Sequence, residues 1–182
     1  MRVVAGKARG TQLKTIESNE TRPTKDMVKE ALFSILYSKV QDAIFLDLFA
    51  GSGAIGIEAL SRGAAKAYFS DINKECVKVI NSNIEKTHFT EDSVVLLGDF
   101  KQTIDKIKQI KFDIIFVDPP YNKGLGIEAI ELIMENEMIA SDGILIYETD
   151  EIENVPESIK DYERYNYKKY GRNILNFYRR KG

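Results

Sequence analysis

The sequence has almost none of the residues that build disulfides and zinc sites. Cys76 is the only cysteine and His88 the only histidine among 182 residues. An internal disulfide is therefore excluded, and a zinc site of cysteine and histidine ligands cannot be assembled. A Ser-His-Asp or Cys-His site would have to use His88, which lies in the polar stretch EKTHFTED and is expected to be a solvated loop residue. We expect no bound metal.

Long apolar runs are also missing. No stretch approaches the roughly 20 apolar residues needed to cross a bilayer, and the N-terminal MRVVAGKARG becomes polar too soon for a secretory signal. We expect a cytoplasmic protein that does not bind membranes. The 182 residues contain no repeat and no long linker, which favours a single domain (1–182) made of an N-terminal arm or hairpin (1–20) and a core (21–182).

Charge is distributed unevenly along the chain. The net charge is −2, yet residues 1–30 carry +3, residues 31–163 carry −12 and residues 164–182 carry +7. Basic ends around an acidic middle favour a polyanion, such as a nucleic acid, held by the two termini. The alternative is that the charged ends only keep the protein in solution.

Short apolar runs alternate with segments of helical periodicity. Strands are predicted at 43–50, 65–71, 93–99, 112–118 and 143–150, and helices at 54–63, 73–87, 100–109 and 126–138. This alternation is typical of a parallel sheet with helices on both faces. YERYNYKKYG and RNILNFYRR are expected to add two antiparallel strands joined at Gly171. A further helix is predicted in TRPTKDMVKEALFSILYSKV, with Thr24 as its N-cap.

A glycine-rich loop follows the first predicted strand. FLDLFAGSGAIG contains Gly51-x-Gly53-x-x-Gly56, and Asp71 lies 20 residues after Gly51. This pattern is typical of a dinucleotide-binding turn, so it fits NAD as well as other adenosine cofactors. Asp47 favours S-adenosylmethionine, because a carboxylate on the strand that leads into the loop would repel a pyrophosphate but attract an ammonium group. The three glycines are expected to let the backbone approach the methionine and ribose.

Acidic residues end four of the five predicted parallel strands, or lie near their ends: Asp47, Asp71, Asp99 and Asp118. Ligands of open α/β sheets bind outside the carboxyl ends of the strands. We expect Asp71 to accept hydrogen bonds from two ribose hydroxyls and Asp99 to lie near the adenine amino group. Any one of these acids could instead cap a helix or face solvent.

The tetrapeptide Asp118-Pro119-Pro120-Tyr121 follows the fourth strand. The prolines fix the backbone, remove two N–H donors and hold the preceding residues extended. A carboxylate and a backbone carbonyl are thereby directed at one point beside an aromatic ring. This arrangement suits the two N–H groups and the flat face of a base that carries an exocyclic amine. The predicted chemistry is in-line transfer of a methyl group to that amine, by orientation and electrostatic stabilisation.

The chain resembles the bacterial 16S ribosomal RNA guanine-N2 methyltransferases. RVVAGKARGTQL is similar to that family's opening arm, TRPTKDMVKEALFSIL to its first helix, LDLFAGSGAIGIEALSRGA to its cofactor loop, and FVDPPY to its catalytic strand end. The resemblance implies a Rossmann-like class I methyltransferase fold, with a mostly parallel seven-stranded sheet and an antiparallel C-terminal strand. It also implies S-adenosylmethionine as cofactor and a guanine N2 in 16S ribosomal RNA, free or in the assembling small subunit, as substrate. We expect a monomer.

The candidate site residues fall into three groups. The candidate catalytic residues are Asp118, Pro119, Pro120 and Tyr121. The candidate cofactor-binding residues are Thr24, Asp47, Phe49, Ala50, Gly51, Ser52, Gly53, Asp71, Ile72, Asp99 and Phe100. The candidates for contact with RNA are Lys7, Arg9, Arg22, Lys25 and Arg172. All of these except Arg22, which is expected to fold over the cofactor or the RNA, are candidates for phosphate contact, with solvated surface charge as the alternative.

Three other functions remain open from the sequence. An adenine-N6 methyltransferase acting on DNA or on another RNA would share the Asp-Pro-Pro-Tyr segment, an NAD-dependent oxidoreductase would share the glycine pattern, and a non-catalytic RNA-binding module would share the fold. Four tyrosines form either a stacking platform for RNA or a half-buried edge strand: Tyr162, Tyr165, Tyr167 and Tyr170. The sequence does not identify the target nucleotide.

Overall fold

The computed structural model describes residues 1–16, 22–120 and 124–182, without the side chains of 22–25. The helices are α1 (Arg22–Ile35), α2 (Ala54–Ser61), α3 (Lys74–Thr87), α4 (Phe100–Ile107) and α5 (Leu125–Glu135). The strands are β1 (Ile44–Asp47), β2 (Lys66–Asp71), β3 (Ser93–Leu97), β4 (Phe112–Val117), β5 (Ile139–Asp150), β6 (Ser158–Ile159), β7 (Tyr162–Tyr170) and β8 (Asn173–Arg180). None of the helices in these ranges has the length and apolarity of a membrane-spanning segment.

In the described part of the chain, the strands form one sheet in the order β3-β2-β1-β4-β5-β8-β7-β6. Strands β1 to β5 pair in parallel, whereas β8 pairs antiparallel with β5 and β7 antiparallel with β8. The predicted parallel core and its antiparallel C-terminal addition are therefore confirmed. The eighth strand, β6, was not predicted, because two residues are too few to carry a periodic signal.

Helices cover both faces of the sheet, as the alternation of segments predicts. Helices α1, α2 and α3 pack on one face through an apolar cluster that includes Phe45, and α4 and α5 pack on the other through a cluster that includes Leu46. Neighbouring residues of β1 thus belong to opposite faces, as expected for a strand. We call these the α1–α3 face and the α4–α5 face.

The first helix begins earlier than the sequence suggests. Helix α1 starts at Arg22, so Thr24 lies inside its first turn, and the prediction that Thr24 is the N-cap is wrong. Pro23 explains why an earlier start is possible, because the first turn of a helix does not use its backbone N–H groups and tolerates proline.

Residues 1–13, within the segment 1–20 for which an arm or a hairpin is expected, form a hairpin. Arg2 and Gln12 form an antiparallel bridge, and the backbone N–H of Val3 donates to the Thr11 carbonyl at 3.0 Å. Because an isolated two-stranded hairpin is at best marginally stable in water, its docking on the helices matters for its structure.

A buried carboxylate on α2 holds this hairpin in place. The oxygens of Glu58 accept hydrogen bonds from the backbone N–H groups of Val4 at 2.9 Å and Ala5 at 3.0 Å. Lys29 Nζ lies 3.3 Å from Glu58 Oε2, and both side chains are buried. Arg62 Nε donates to Glu58 Oε1 at 2.8 Å. One buried acid therefore joins the hairpin, α1 and α2.

Candidate active site

Five polar side chains lie at the carboxyl edge of the parallel strands: four belong to β2, β1, β5 and β8, and one directly follows β4. We call them the polar row: Asp71, Asp47, Asp118, Glu148 and Asn173. They are not all in register, because Asp47 pairs with Phe69 and Phe116, and Asn173 pairs with Asp150. For each member of the row, the residue two positions further into its strand belongs to the apolar cluster of the α1–α3 face. Because side chains alternate along a strand, all five members of the row project from that same face.

A cavity runs along this row beneath α1. Four members of the row line the cavity: Asp47, Asp118, Glu148 and Asn173. The rest of the lining includes Phe49, Ala50, Gly51 and Ser52 of the glycine loop, Phe116 of β4, Lys29 of α1 and Met1 of the hairpin. The cavity therefore brings together the predicted cofactor loop and the first residue of the Asp-Pro-Pro-Tyr segment. This proximity follows from the pairing of β1 with β4.

Asp47 is buried and lines the cavity. Its Oδ2 accepts a hydrogen bond from the backbone N–H of Gly56 at 3.1 Å. Burial raises the pKa of Asp47 to about 7, an effect that the Gly56 hydrogen bond opposes and the nearby Asp71 carboxylate increases. A cationic group bound beside Asp47 would favour its ionised form and restore the charge that burial disfavours.

Asp71 organises the glycine loop. Its Oδ2 accepts from the backbone N–H of Gly51 at 2.9 Å, and its Oδ1 accepts from Asn73 N at 2.9 Å. The sequence predicted a ligand contact for Asp71 but not this loop contact. A carboxylate has about four acceptor positions, so the same group can also accept from ligand hydroxyls.

Burial, together with Asp71, raises the pKa of the Cys76 thiol to about 11, which leaves that cysteine protonated and a poor nucleophile.

The three glycines of the loop have different roles. Gly51 and Gly53 have φ values of +55° and +77°, in the left-handed region that favours glycine, and Gly51 also lines the cavity. At Gly56 an added Cβ would lie 2.3 Å from Cε1 of Phe69. Gly56 therefore allows α2 to pack directly on β2.

A buried asparagine supports the glycine loop from behind. Asn83 Nδ2 donates to the Ser52 carbonyl at 2.9 Å, and the same side chain forms two hydrogen bonds with the backbone of Lys14. Sequence reasoning missed Asn83, although a polar residue next to the apolar stripe of α3 was a signal for it. The loop and the segment after the hairpin are thus held by one side chain.

The loops after β2 and β3 carry the predicted adenine-side residues. Asp99 Oδ1 accepts from the Gln102 N–H at 2.9 Å, so Asp99 caps α4, which is one of the alternatives that the sequence left open. The ring of Phe100 packs at a tilt against Phe49, with centroids 5.8 Å apart. Ile72 is 72% exposed although it is large and apolar. Exposed apolar surface of this kind suits the flat face of a base.

The diproline segment begins at the end of β4. Asp118 is half-buried, Pro119 is buried and Pro120 is exposed. Tyr121 lies outside the described residues. Asp118 lines the cavity.

Glu148 and Asn173 are the members of the row that the sequence did not predict. Asn173 Nδ2 donates to Glu148 Oε1 at 2.5 Å. The signal for Glu148 was available, since GILIYETD also ends in acids, but Asn173 had no local signal. Only the antiparallel return of β8 beside β5 brings it to this edge.

The predicted RNA-contacting residues lie around the cavity to different extents. Lys7 and Arg9 are exposed on the N-terminal hairpin, whose first residue lines the cavity. Arg172 is exposed in the turn between β7 and β8, directly before Asn173. The side chains of Arg22, Thr24 and Lys25 lie outside the described part of the structure. His88 is exposed at the end of α3, which confirms its interpretation as a solvated residue.

The four tyrosines of β7 do not share one surface. Tyr162 is buried in the cluster of the α4–α5 face, and Tyr170 packs partly buried against the α1–α3 face. The Tyr165 ring lies 6.3 Å from that of Phe177, and Arg164 lies over Tyr167 at 5.3 Å. The arrangement matches the half-buried strand rather than a single stacking platform.

Comparison with known proteins gives matches over the whole chain. Residues 1–179 match the family model described as "Conserved hypothetical protein 95". The "Putative rRNA methyltransferase YlbH" of Bacillus subtilis is 33% identical, with all of both chains covered. "Ribosomal RNA small subunit methyltransferase D" of Escherichia coli K12 is 38% identical over 85% of this chain and 76% of its own.

Solved structures share the fold. "Putative methyltransferase yhhF from Escherichia coli" has a TM-score of 0.85 and 31% identity, with 100% of this chain and 98% of that chain covered. SMU.776, described as "a putative methyltransferase complexed with SAH", has a TM-score of 0.70 and 14% identity, over 87% of this chain and 50% of its own. The second likeness concerns the fold alone.

Proposed function

The chain belongs to the Conserved hypothetical protein 95 family, and from this membership we propose that it is an S-adenosylmethionine-dependent methyltransferase of small-subunit ribosomal RNA. The target is the N2 amine of a guanine in 16S RNA, free or in the assembling subunit. Relatives named as small-subunit ribosomal RNA methyltransferases support the substrate class. The observation that carries the proposal is the polar row, which places Asp47 and Asp118 on neighbouring strands in one cavity. We further propose that residues 1–182 act as one domain, as a monomer and in the cytoplasm, where ribosomal RNA is found.

The residues at the Asp71 and Asp47 end of the row fit the cofactor. Asp47 suits the ammonium group of a methionine tail, and Asp71 suits two ribose hydroxyls. Ile72, Asp99 and Phe100 would hold the adenine, and the loop residues from Phe49 to Gly53 would contact the methionine and ribose. A cavity with several carboxylates is unfavourable for a pyrophosphate, which weighs against NAD.

Asp118 and Pro119, at the middle of the row, fit the amine that receives the methyl group. The Asp118 carboxylate and the Pro119 carbonyl would accept the two N–H groups of the guanine amine, which turns the nitrogen lone pair away from the ring and toward the cofactor. S-adenosylmethionine supplies the methyl group on its sulfonium, so a C–N bond forms as the C–S bond breaks. The nitrogen then loses one proton to Asp118 or to water. Orientation and the negative potential of Asp118 account for the predicted rate enhancement.

Cofactor affinity is expected to depend on pH through Asp47. Its pKa is raised to about 7, and a bound ammonium group favours the ionised carboxylate, so affinity should be full above this pKa and decrease as the carboxylate takes up a proton below it. From about pH 7.5 to about pH 5.5, the Kd for S-adenosylmethionine should rise roughly 20- to 30-fold in calorimetric titrations.

An isosteric variant separates this effect from general acid sensitivity. Asp47→Asn should bind the cofactor more weakly than the wild type but with a Kd that is constant over this pH range. Asp105→Asn, which changes an exposed acid paired with Lys108, should titrate like the wild type. A wild-type Kd that does not change with pH would contradict the role of Asp47.

The proposed function is tested by methylating small ribosomal subunits from cells that lack this enzyme. Purified full-length protein and labelled S-adenosylmethionine should yield N2-methylguanosine in the digested 16S RNA, identified by mass spectrometry. N6-methyladenosine as the product would favour the alternative amino-methyltransferase. Binding of NAD without binding of S-adenosylmethionine would favour the oxidoreductase.

A further inference from the structure

We propose that Glu148 and Asn173 recognise the Watson–Crick edge of the target guanine and thereby select guanine over adenine. This inference rests on the proposed function and concerns the same cavity. It assigns a specificity role to the two members of the polar row that the sequence did not predict.

The geometry places three polar side chains in sequence along one wall. Strands β4, β5 and β8 are consecutive in the sheet. Val117 pairs with Tyr147 in register, so the next residues, Asp118 and Glu148, are neighbours across the two strands. Asn173 Nδ2 lies 2.5 Å from Glu148 Oε1, and Asp118, Glu148 and Asn173 all line the cavity.

The order of donors and acceptors in this wall is complementary to guanine. The Watson–Crick edge of guanine presents, in order, an acceptor at O6, a donor at N1–H and donors at the N2 amine. In the same order, the cavity wall presents the amide of Asn173, which can donate, and the carboxylates of Glu148 and Asp118, which accept. With the amine at Asp118, the N1–H therefore faces Glu148 and O6 faces Asn173. A carboxylate has about four acceptor positions, so Glu148 can bond to Asn173 and to the base together.

Adenine does not fit the same wall. Its N1 is an acceptor, and at the position of the guanine N1–H it would face the Glu148 carboxylate, so that two acceptors would oppose each other. Glu148 is only 7% exposed, so water has little access to relieve that mismatch. Two acceptors that oppose each other where water has little access make a site reject the wrong base strongly.

The test uses 2-aminopurine at the nucleotide that the ribosomal assay identifies as the target. This base keeps the amine that accepts the methyl group but has no O6, and its N1 is an acceptor. In a short RNA containing the site, the wild type should methylate guanine about 100-fold more efficiently than 2-aminopurine, measured as kcat/KM, because charge-assisted hydrogen bonds are lost.

Replacing the Glu148 acceptor with a group that can also donate should reverse part of the preference for guanine over 2-aminopurine. Glu148→Gln keeps the shape of the side chain but can donate to the N1 of 2-aminopurine. We expect kcat/KM for guanine to fall about 10-fold or more, and kcat/KM for 2-aminopurine to rise. Asn173→Ala should lower kcat/KM for guanine about 10-fold and leave 2-aminopurine unchanged. Glu151→Ala, a nearby exposed acid paired with Lys169, should leave both values unchanged.

The outcomes separate this inference from the function on which it rests. Equal losses on both bases in Glu148→Gln and Asn173→Ala, with N2-methylguanosine still formed by the wild type, would overturn the specificity role alone and leave a structural one. Formation of N6-methyladenosine by the wild type would overturn both proposals. Calorimetric titration of S-adenosylmethionine into each variant should give the wild-type Kd, because neither residue lies at the cofactor end of the row.

Discussion

Asp118→Ala should lower kcat for methyl transfer about 10³-fold while the Kd for S-adenosylmethionine stays within a few-fold of the wild-type value. Asp118 lies in the middle of the polar row, directly after β4, whereas the cofactor contacts proposed here come from β1, β2 and the loops that follow β1, β2 and β3. The alanine variant keeps the prolines but loses the carboxylate that holds the amine. Single-turnover methylation of small subunits measures the rate, and calorimetry measures the Kd.

Two further variants show whether hydrogen bonding or charge carries this effect. Asp118→Asn keeps one acceptor oxygen and should lose less activity than the alanine variant. Asp105→Ala removes an exposed acid on α4 and should leave kcat unchanged, because surface ion pairs contribute little. Near wild-type turnover in Asp118→Ala would remove this residue from the mechanism.

Glu58→Ala should lower the free energy of unfolding by about 3–5 kcal/mol. The change leaves the buried Lys29 ammonium without the carboxylate 3.3 Å away. It also leaves the backbone N–H groups of Val4 and Ala5 without their acceptor. Urea denaturation measures the free energy, and amide hydrogen exchange at Val4 and Ala5 should accelerate more than exchange in the central strands.

An exposed acid on another helix provides the control for this stability effect. Glu131→Ala, on the exposed side of α5, should change the free energy of unfolding by no more than about 0.5 kcal/mol. The hairpin also contributes to the cavity through Met1, so Glu58→Ala should weaken cofactor binding as well. Unchanged stability of Glu58→Ala would mean that the hairpin is held by other contacts.

Features that a short segment determines could be predicted from the sequence. The parallel strands follow from continuous apolar runs, and the position of Asp47 follows from its place immediately before the glycine loop. The Asp118 segment could be recognised because two prolines and the preceding strand fix it locally. These features need no knowledge of the strand order.

Features that depend on distant partners could not be predicted in the same way. Asn173 reaches Glu148 from 25 residues away, and only the antiparallel placement of β8 brings them together. Gly56 has the spacing of a ligand-binding glycine, but its role depends on Phe69 of the neighbouring strand. In the sequence, Glu58 has no feature that distinguishes it from an ordinary acidic residue of a helix, because its role depends on the docking of the hairpin.

A crystal structure of the full-length protein with S-adenosylhomocysteine would test the division of the polar row most directly. Our account predicts that the ammonium nitrogen lies about 3 Å from a carboxylate oxygen of Asp47 and that the sulfur points toward Asp118. A ligand whose sulfur lies at the Asp71 end, remote from Asp118 and Pro119, would contradict it.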